Sequence, residues 1–291
     1  MTITNTCDGA GVGEGSALGA GEVWIAASGV GLRCIRTADA GPQAAAITTA
    51  SIGAAMKLVS KRWEMDIRPE RGGRITSLRL DGEEILDQGI GVDQPTAKSF
   101  VESGAWGWDE MVPNVEATDT LPDHGEAWRL PWDVHDAGLM SCRGRLLPWE
   151  LERRIRLGDA VRVTYRYRNA GLEPQLAYWC AHPLFRFEPG MEIDAPVRHP
   201  AEGASAKFFL PKASVDRVRL RWTSGANVEM SWDAGLTPYV AIWVCNGDLG
   251  GYRQLAIEPA TGGGDRPDAS VPPPLLAPGE TFEWWLHIAA L

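Results

Sequence analysis

The feature that most constrains this chain is a two-residue hydrophobic alternation. It recurs from Trp63 almost to the C-terminus, and no long amphipathic helix follows residue 60. The clearest instance is the pair Trp149–Leu157 and 161–168, joined by a Gly158-Asp159 turn. Val161, Val163, Tyr165 and Tyr167 point one way; Arg162, Thr164, Arg166 and Arg168 point the other. Strands of this kind have one dry and one wet face. Trp63, Met65 and Ile67 alternate with charged neighbours, Arg71-Gly72-Gly73 turns the chain into Arg74–Leu80, and Asp81-Gly82 is a hairpin signal. Further strands are predicted at 175–180, 218–222, 228–232, 239–245, 254–258 and 282–289. About a dozen antiparallel strands without internal repeats make an all-β fold, one large β-sandwich.

Residues 1–55 break the pattern. They hold 10 Gly and 13 Ala and no Lys, with no sustained period of 2 or 3.6. The start, Met1-Thr2-Ile3-Thr4, lacks the basic residues and clean apolar run of a secretory leader. This stretch is expected to be a poorly ordered extension, with either a strand at 23–27 or a short helix at 44–59. Met56 offers an internal start of translation, testable by mass spectrometry of the native protein. Residues 56–291 then form a single domain.

Composition narrows the function. Lys plus Arg number 28 against 38 Asp plus Glu, a net charge of −10, and no cationic block exists, which argues against a nucleic-acid partner. No stretch approaches the roughly 18 apolar residues of a membrane-spanning helix, so no membrane partner is expected. Cys7, Cys34, Cys142, Cys180 and Cys245 are scattered, without a Cys-x-x-Cys pair. Neither a disulfide framework nor a structural zinc site is expected, and a reducing, cytoplasmic setting fits. Trp is abundant, 13 against 5 Tyr and 6 Phe. Indole suits both stacking on a sugar ring and filling a β core, and the sequence leaves the two open.

Five histidines, His124, His135, His182, His199 and His287, include no His-x-His or His-Glu-x-x-His pair, so no metal is expected. No Gly-x-Ser-x-Gly elbow or Walker loop occurs, and the alternating Gly9, Gly11, Gly13 and Gly15 lack a βαβ context. Two segments, 107–114 (Gly-Trp-Asp-Glu-Met-Val-Pro-Asn) and 121–132 (Leu-Pro-Asp-His-Gly-Glu-Ala-Trp-Arg-Leu-Pro-Trp), crowd Trp, carboxylate, His and Arg between Gly and Pro. That pattern suits loops at the rim of a sheet. In 177–185, His182 ends an apolar strand, and in 255–262 Glu258 leaves a buried one. Burying a carboxylate beside Ile and Leu is costly unless something offsets it, so a partner or a task is expected there.

With 70–78 (Glu-Arg-Gly-Gly-Arg-Ile-Thr-Ser-Leu) and 276–284 (Leu-Ala-Pro-Gly-Glu-Thr-Phe-Glu-Trp), these segments resemble the aldose 1-epimerase (galactose mutarotase-like) superfamily over residues 62–291. The resemblance implies a large antiparallel β-supersandwich with a sugar cleft, interconversion of the α and β anomers of a free aldose, and no cofactor. By motif, Glu258 matches the family's general base, His182 its general acid, and His124 the upstream sugar-contacting histidine. Ring opening needs a base for the anomeric O1–H and an acid for the ring oxygen; a carboxylate and an imidazole suit those tasks.

The chain also departs from the family pattern. Members often carry an Arg soon after His-Gly; here Trp128 stands in that place and Arg129 follows. Either Arg129 takes over by a local shift or the pocket stacks the sugar on Trp128. Asp109 and Glu110 are candidate polar contacts from the rim, against a reading as solvated loop charges. Trp179, with Trp108 and Trp243, is a candidate stacking platform, against ordinary core packing. A phosphosugar would need convergent cations, and Arg129, Arg186 and Arg253 are scattered candidates. The expected partner is a small-molecule sugar, bound by a monomer or homodimer. Competing readings are a non-catalytic carbohydrate-binding protein, a hexose-6-phosphate 1-epimerase, or glycan cleavage by Asp109 or Glu110 with Glu258 at roughly 5–9 Å separation.

Overall fold

The computed structural model describes residues 55–291 other than 92, 95 and 269, together with three short strands at Glu22–Ile25, Arg33–Arg36 and Ala46–Thr48. The rest of the N-terminal extension lies outside the described residues. The helical alternative for 44–59 gives way to strands at Ala46–Thr48 and Met56–Val59, paired antiparallel. Met56 and Leu58 are buried while Lys57 and Val59 are half-exposed, a period of two that a helix cannot satisfy.

The alternation builds two antiparallel sheets. One has eight strands in the order Glu192–Ile193, Arg217–Arg221, Asn227–Trp232, Thr281–Ala290, Ala160–Asn169, Trp149–Leu157, Leu139–Arg143 and Asp133–Asp136. The other runs Ala204–Phe209, Tyr239–Asp248, Tyr252–Ala260, Cys180–Arg186, Trp108–Met111, Arg74–Leu80, Trp63–Arg68, Met56–Val59 and Ala46–Thr48. Glu83–Glu84 folds back on Arg74–Leu80 to make its tenth strand, through an Asp81-Gly82 turn in which both residues have positive φ. The expected all-β antiparallel architecture is therefore observed. Among the described residues no helix is long and apolar enough to cross a membrane.

Inward faces of the two sheets share one core, in which Leu151, Val163 and Leu286 meet residues such as Met65, Ile75 and Ile257. Each such side chain contributes roughly 1.5–3 kcal/mol by leaving water. A second, smaller cluster covers the opposite face of the ten-stranded sheet, where Phe100, Val115 and Trp128 come down from loops onto Cys180, Leu184 and Ala256. The cleft lies on that face.

Two segments differ from expectation. Segment 107–114 is no rim loop: Trp108–Met111 is an inner strand, buried at all four residues. Its carboxylates tolerate this because each meets a buried arginine. Glu110 points between the sheets to Arg153 at 3.0 Å, and Asp109 faces the other way to Arg74 at 2.8 Å. The stretch 175–180 is not one strand either. Gln175–Leu176 pairs with Leu275–Leu276, and the chain re-enters the large sheet only at Cys180. Between them the Thr261 hydroxyl accepts from the Trp179 N–H at 2.9 Å and donates to the Ala177 carbonyl at 2.7 Å, replacing ladder bonds.

Candidate active site

Strand register brings the two principal residues together. Cys180 stands opposite Ala260 and Leu184 opposite Ala256, so His182, midway, stands across from Glu258. Alternation sends Ala181, Phe185, Leu255 and Ile257 into the core between the sheets, and turns His182 and Glu258 to the cleft face. His182 Nε2 lies 3.9 Å from Glu258 Oε1. That is beyond hydrogen-bond range, yet close enough for both to reach one small ligand. Both side chains are almost sealed, at 7% and 2% exposure. His182 Nδ1 and Glu258 Oε1 have no hydrogen-bond partner in the protein. Two unpaired buried polar atoms facing one cavity are open to a ligand or an ordered water.

Small side chains keep the floor low. Ala241 is the cross-strand neighbour of Glu258, and Ala256 separates Leu184 from Trp243. Above them is a cavity of about 280 Å³ whose lining includes Phe100, His124, His182, Lys207, Trp243 and Glu258. This is near the lower end of the range for small-molecule pockets.

The wall opposite the strands is the 121–126 loop. His124 and Gly125 are both left-handed, with φ of 57° and 68°. A Cβ on Gly125 would lie 2.2 Å from the Val112 carbonyl oxygen, so only glycine allows this approach. Asp123 ties the wall together. Its Oδ1 is 2.9 Å from His124 Nδ1, and its Oδ2 accepts the Phe100 N–H at 2.7 Å. Partial burial opposes the Asp123 charge, but these two donors win and hold the carboxyl below its usual range. The Phe100 ring stacks on His124 at 4.5 Å and turns its edge to His182 at 5.2 Å.

Electrostatics set the resting state. Burial, then the charges of His124, Lys207 and Arg74, hold His182 well below its ordinary value of 6.5, so the imidazole rests neutral. Lys207, which sequence reasoning missed, enters from strand Ala204–Phe209 opposite Trp243. Its Nζ lies 2.8 Å from Glu258 Oε2 and 2.6 Å from Asp265 Oδ1. Burial works against this ammonium, yet the two carboxylates outweigh it and raise its pKa. No local pattern marks Lys207 or Asp265; a lone charge in the short strand Ala204–Phe209 is the one signal for Lys207. Among the described residues no cluster of three or more His, Cys, Asp or Glu could hold a metal ion.

Other expected site residues lie elsewhere. Trp179 is fully buried, its indole N–H donating to Glu110 at 2.9 Å, so it is no stacking platform; Trp108 is fully buried too. Glu110 receives Arg153, the Tyr165 hydroxyl and Trp179, and burial pushes it up to about 7 against them. Asp109 sits sealed beneath the cleft, its pKa raised by burial against the Arg74 ion pair. With Glu110 behind the sheet and Asp109 closed off by Arg74, the two-carboxylate cleavage reading loses both partners for Glu258. Trp128 is buried under Phe100, and Arg129 lies over its outer face, its guanidinium 4.3 Å from the ring and donating to the Lys98 carbonyl. Arg129 faces a separate depression beside Arg145 and Leu146. Of the indoles considered, Trp243 lines the cleft.

No protein-family model matches the sequence, and no curated protein matches it significantly. Solved structures do resemble the fold. A galactose mutarotase-like protein from Lactobacillus casei superposes with a TM-score of 0.62 at 14% identity, covering 82% of this chain and 100% of that one. A candidate aldose 1-epimerase from Escherichia coli K12 gives 0.64 at 15% identity, covering 82% and 99%. A galactose mutarotase-like protein from Clostridium acetobutylicum gives 0.59 at 14%, covering 81% and 95%. Likeness at such identities establishes architecture, and the architecture of this chain is the galactose mutarotase-like fold.

Proposed function

We propose that the protein is an aldose 1-epimerase that interconverts the anomers of a free aldose. The observation that carries this reading is the His182–Glu258 pair, 3.9 Å apart in a cleft that His124 also lines. The anomeric O1 and the ring oxygen are borne by one carbon, so an acid and a base that serve them must be close neighbours. Glu258 takes the proton from O1–H while the electron pair of that bond forms the C1 carbonyl. The bond from C1 to the ring oxygen breaks, and the ring oxygen takes a proton from protonated His182. Rotation about C1–C2 and reclosure then reverse both transfers. A buried imidazolium is scarce but strongly acidic, which favours proton delivery once it forms. With Nδ1 engaged by Asp123, His124 has Nε2 left for a sugar hydroxyl.

Polarimetry on freshly dissolved α-glucose and α-galactose tests this: acceleration over buffer is expected, and none with either sugar would overturn it. The neutral resting state of His182 favours one rival, a sugar-binding protein without turnover. That rival predicts sugar affinity with no anomeric exchange, and an affinity indifferent to Glu258→Gln.

A further inference from the structure

The cleft holds an unusual balance of charge. Its lining carries four carboxylates, Glu116, Asp123, Glu258 and Asp265, against one ammonium, Lys207, and two imidazoles, His124 and His182. That ammonium is already occupied on two sides, at 2.8 Å by Glu258 and 2.6 Å by Asp265. Arg74 beneath the floor is matched by Asp109 at 2.8 Å, and its side chain is wholly buried. The remaining candidate cations are spent elsewhere: Arg186 on Glu83, Arg253 on Glu202 and Asn246, Arg129 on the Lys98 carbonyl outside the cleft, and Arg266, next to Asp265, on both oxygens of Glu116. The orphaned His182 Nδ1 and Glu258 Oε1, both on residues lining this cavity, leave two polar atoms there for a ligand to engage.

We propose that this cleft selects its sugar by charge, accepting uncharged and amino-bearing aldoses and refusing sugar phosphates, and that Asp265 sets this preference by occupying Lys207. The proposal rests on the epimerase reading of the same site and names its substrate class. A phosphate dianion entering here meets carboxylates, and the two cations beside them, Lys207 and Arg266, are already paired. It must either displace Asp265 from Lys207 or stay unpaired beside like charge, and both are costly. A sugar ammonium meets the opposite situation. Asp265 meets Lys207 through Oδ1, and Asp123 and Glu116 add further negative charge along the lining.

The test compares glucose, 6-amino-6-deoxyglucose and glucose 6-phosphate with the full chain at low ionic strength. Anomeric exchange is followed by NMR, and binding is followed in parallel by calorimetry. The amino sugar is expected to match or exceed glucose, and the phosphate to fall roughly tenfold or more below it in kcat/KM. Added salt narrows the gap. Asp265→Asn frees one side of Lys207 and raises the phosphate-to-glucose ratio by roughly tenfold. Should that variant fail to fold, Glu116→Gln, at the rim, raises the same ratio by a smaller factor. Glucose 6-phosphate handled as well as glucose, or a ratio that neither variant moves, overturns the proposal. If no sugar is turned over, the epimerase reading fails, and the affinities alone decide the charge preference. Absence of binding by all three sugars overturns both.

Discussion

In the proposed reaction Glu258 is the proton acceptor, and Lys207 holds its carboxylate at 2.8 Å. Glu258→Gln keeps the shape but cannot take the anomeric proton, and should lower kcat by about 10²–10⁴-fold in an NMR exchange assay with glucose. His182 makes a prediction in pH. Burial holds its pKa below 6.5, so the imidazolium that the proposed reaction needs as acid is scarce at neutral pH and accumulates as the medium is acidified. Activity should therefore climb as pH falls from about 8 towards 5, not level off near neutrality. His182→Asn should remove both the activity and this rising limb. Stability moves oppositely. The unfolded chain takes up a proton near 6.5 that the fold resists, so this contribution is complete above that pH and is lost below it. Urea midpoints at about pH 5 and pH 8 should differ less in His182→Asn than in the native protein.

Strand Trp108–Met111 and the loop beside it carry the next predictions, and they mark where local sequence stops being informative. The pattern of 107–114 resembles a rim loop because Asp109 and Glu110 are adjacent charges flanked by Gly and Pro. What buries them is distant. Arg74 and Arg153 reach them across the fold, and no spacing rule announces such partners. Arg153→Met would leave Glu110 buried with the Tyr165 and Trp179 donors and no cation. Equilibrium unfolding should then show a loss of about 3–5 kcal/mol. The 121–126 loop was the more legible element, since a His-Gly pair between Pro and Trp signals a special backbone. Gly125→Ala meets both a left-handed φ of 68° and the Val112 carbonyl. The loop must shift and take His124 with it, so sugar binding by calorimetry should weaken at least tenfold while the far-ultraviolet spectrum stays that of the native sheets.

At the scale of the molecule, two-residue alternation was enough to foresee the antiparallel sandwich, because a sheet repeats one local rule many times. Lys207 and Asp265 escaped because they meet Glu258 through the order of strands, a property of the whole sheet. The tryptophan surplus is resolved at this scale as well. Among the described residues nine tryptophans are buried, so the composition mainly records a core built of large rings. Trp106 and Trp285 are partly exposed away from the cleft lining, and Trp243 faces the cavity across Ala256. A bound sugar can therefore reach one indole out of many. Saturating glucose should change only a small share of total Trp emission, and the whole of that change should vanish in Trp243→Phe. Phenylalanine preserves the ring that packs beside Lys207, so sheet and cleft should persist in the variant. A large quench, or one that survives the substitution, would mean that sugar binds outside the cleft or rearranges the sheets when it binds.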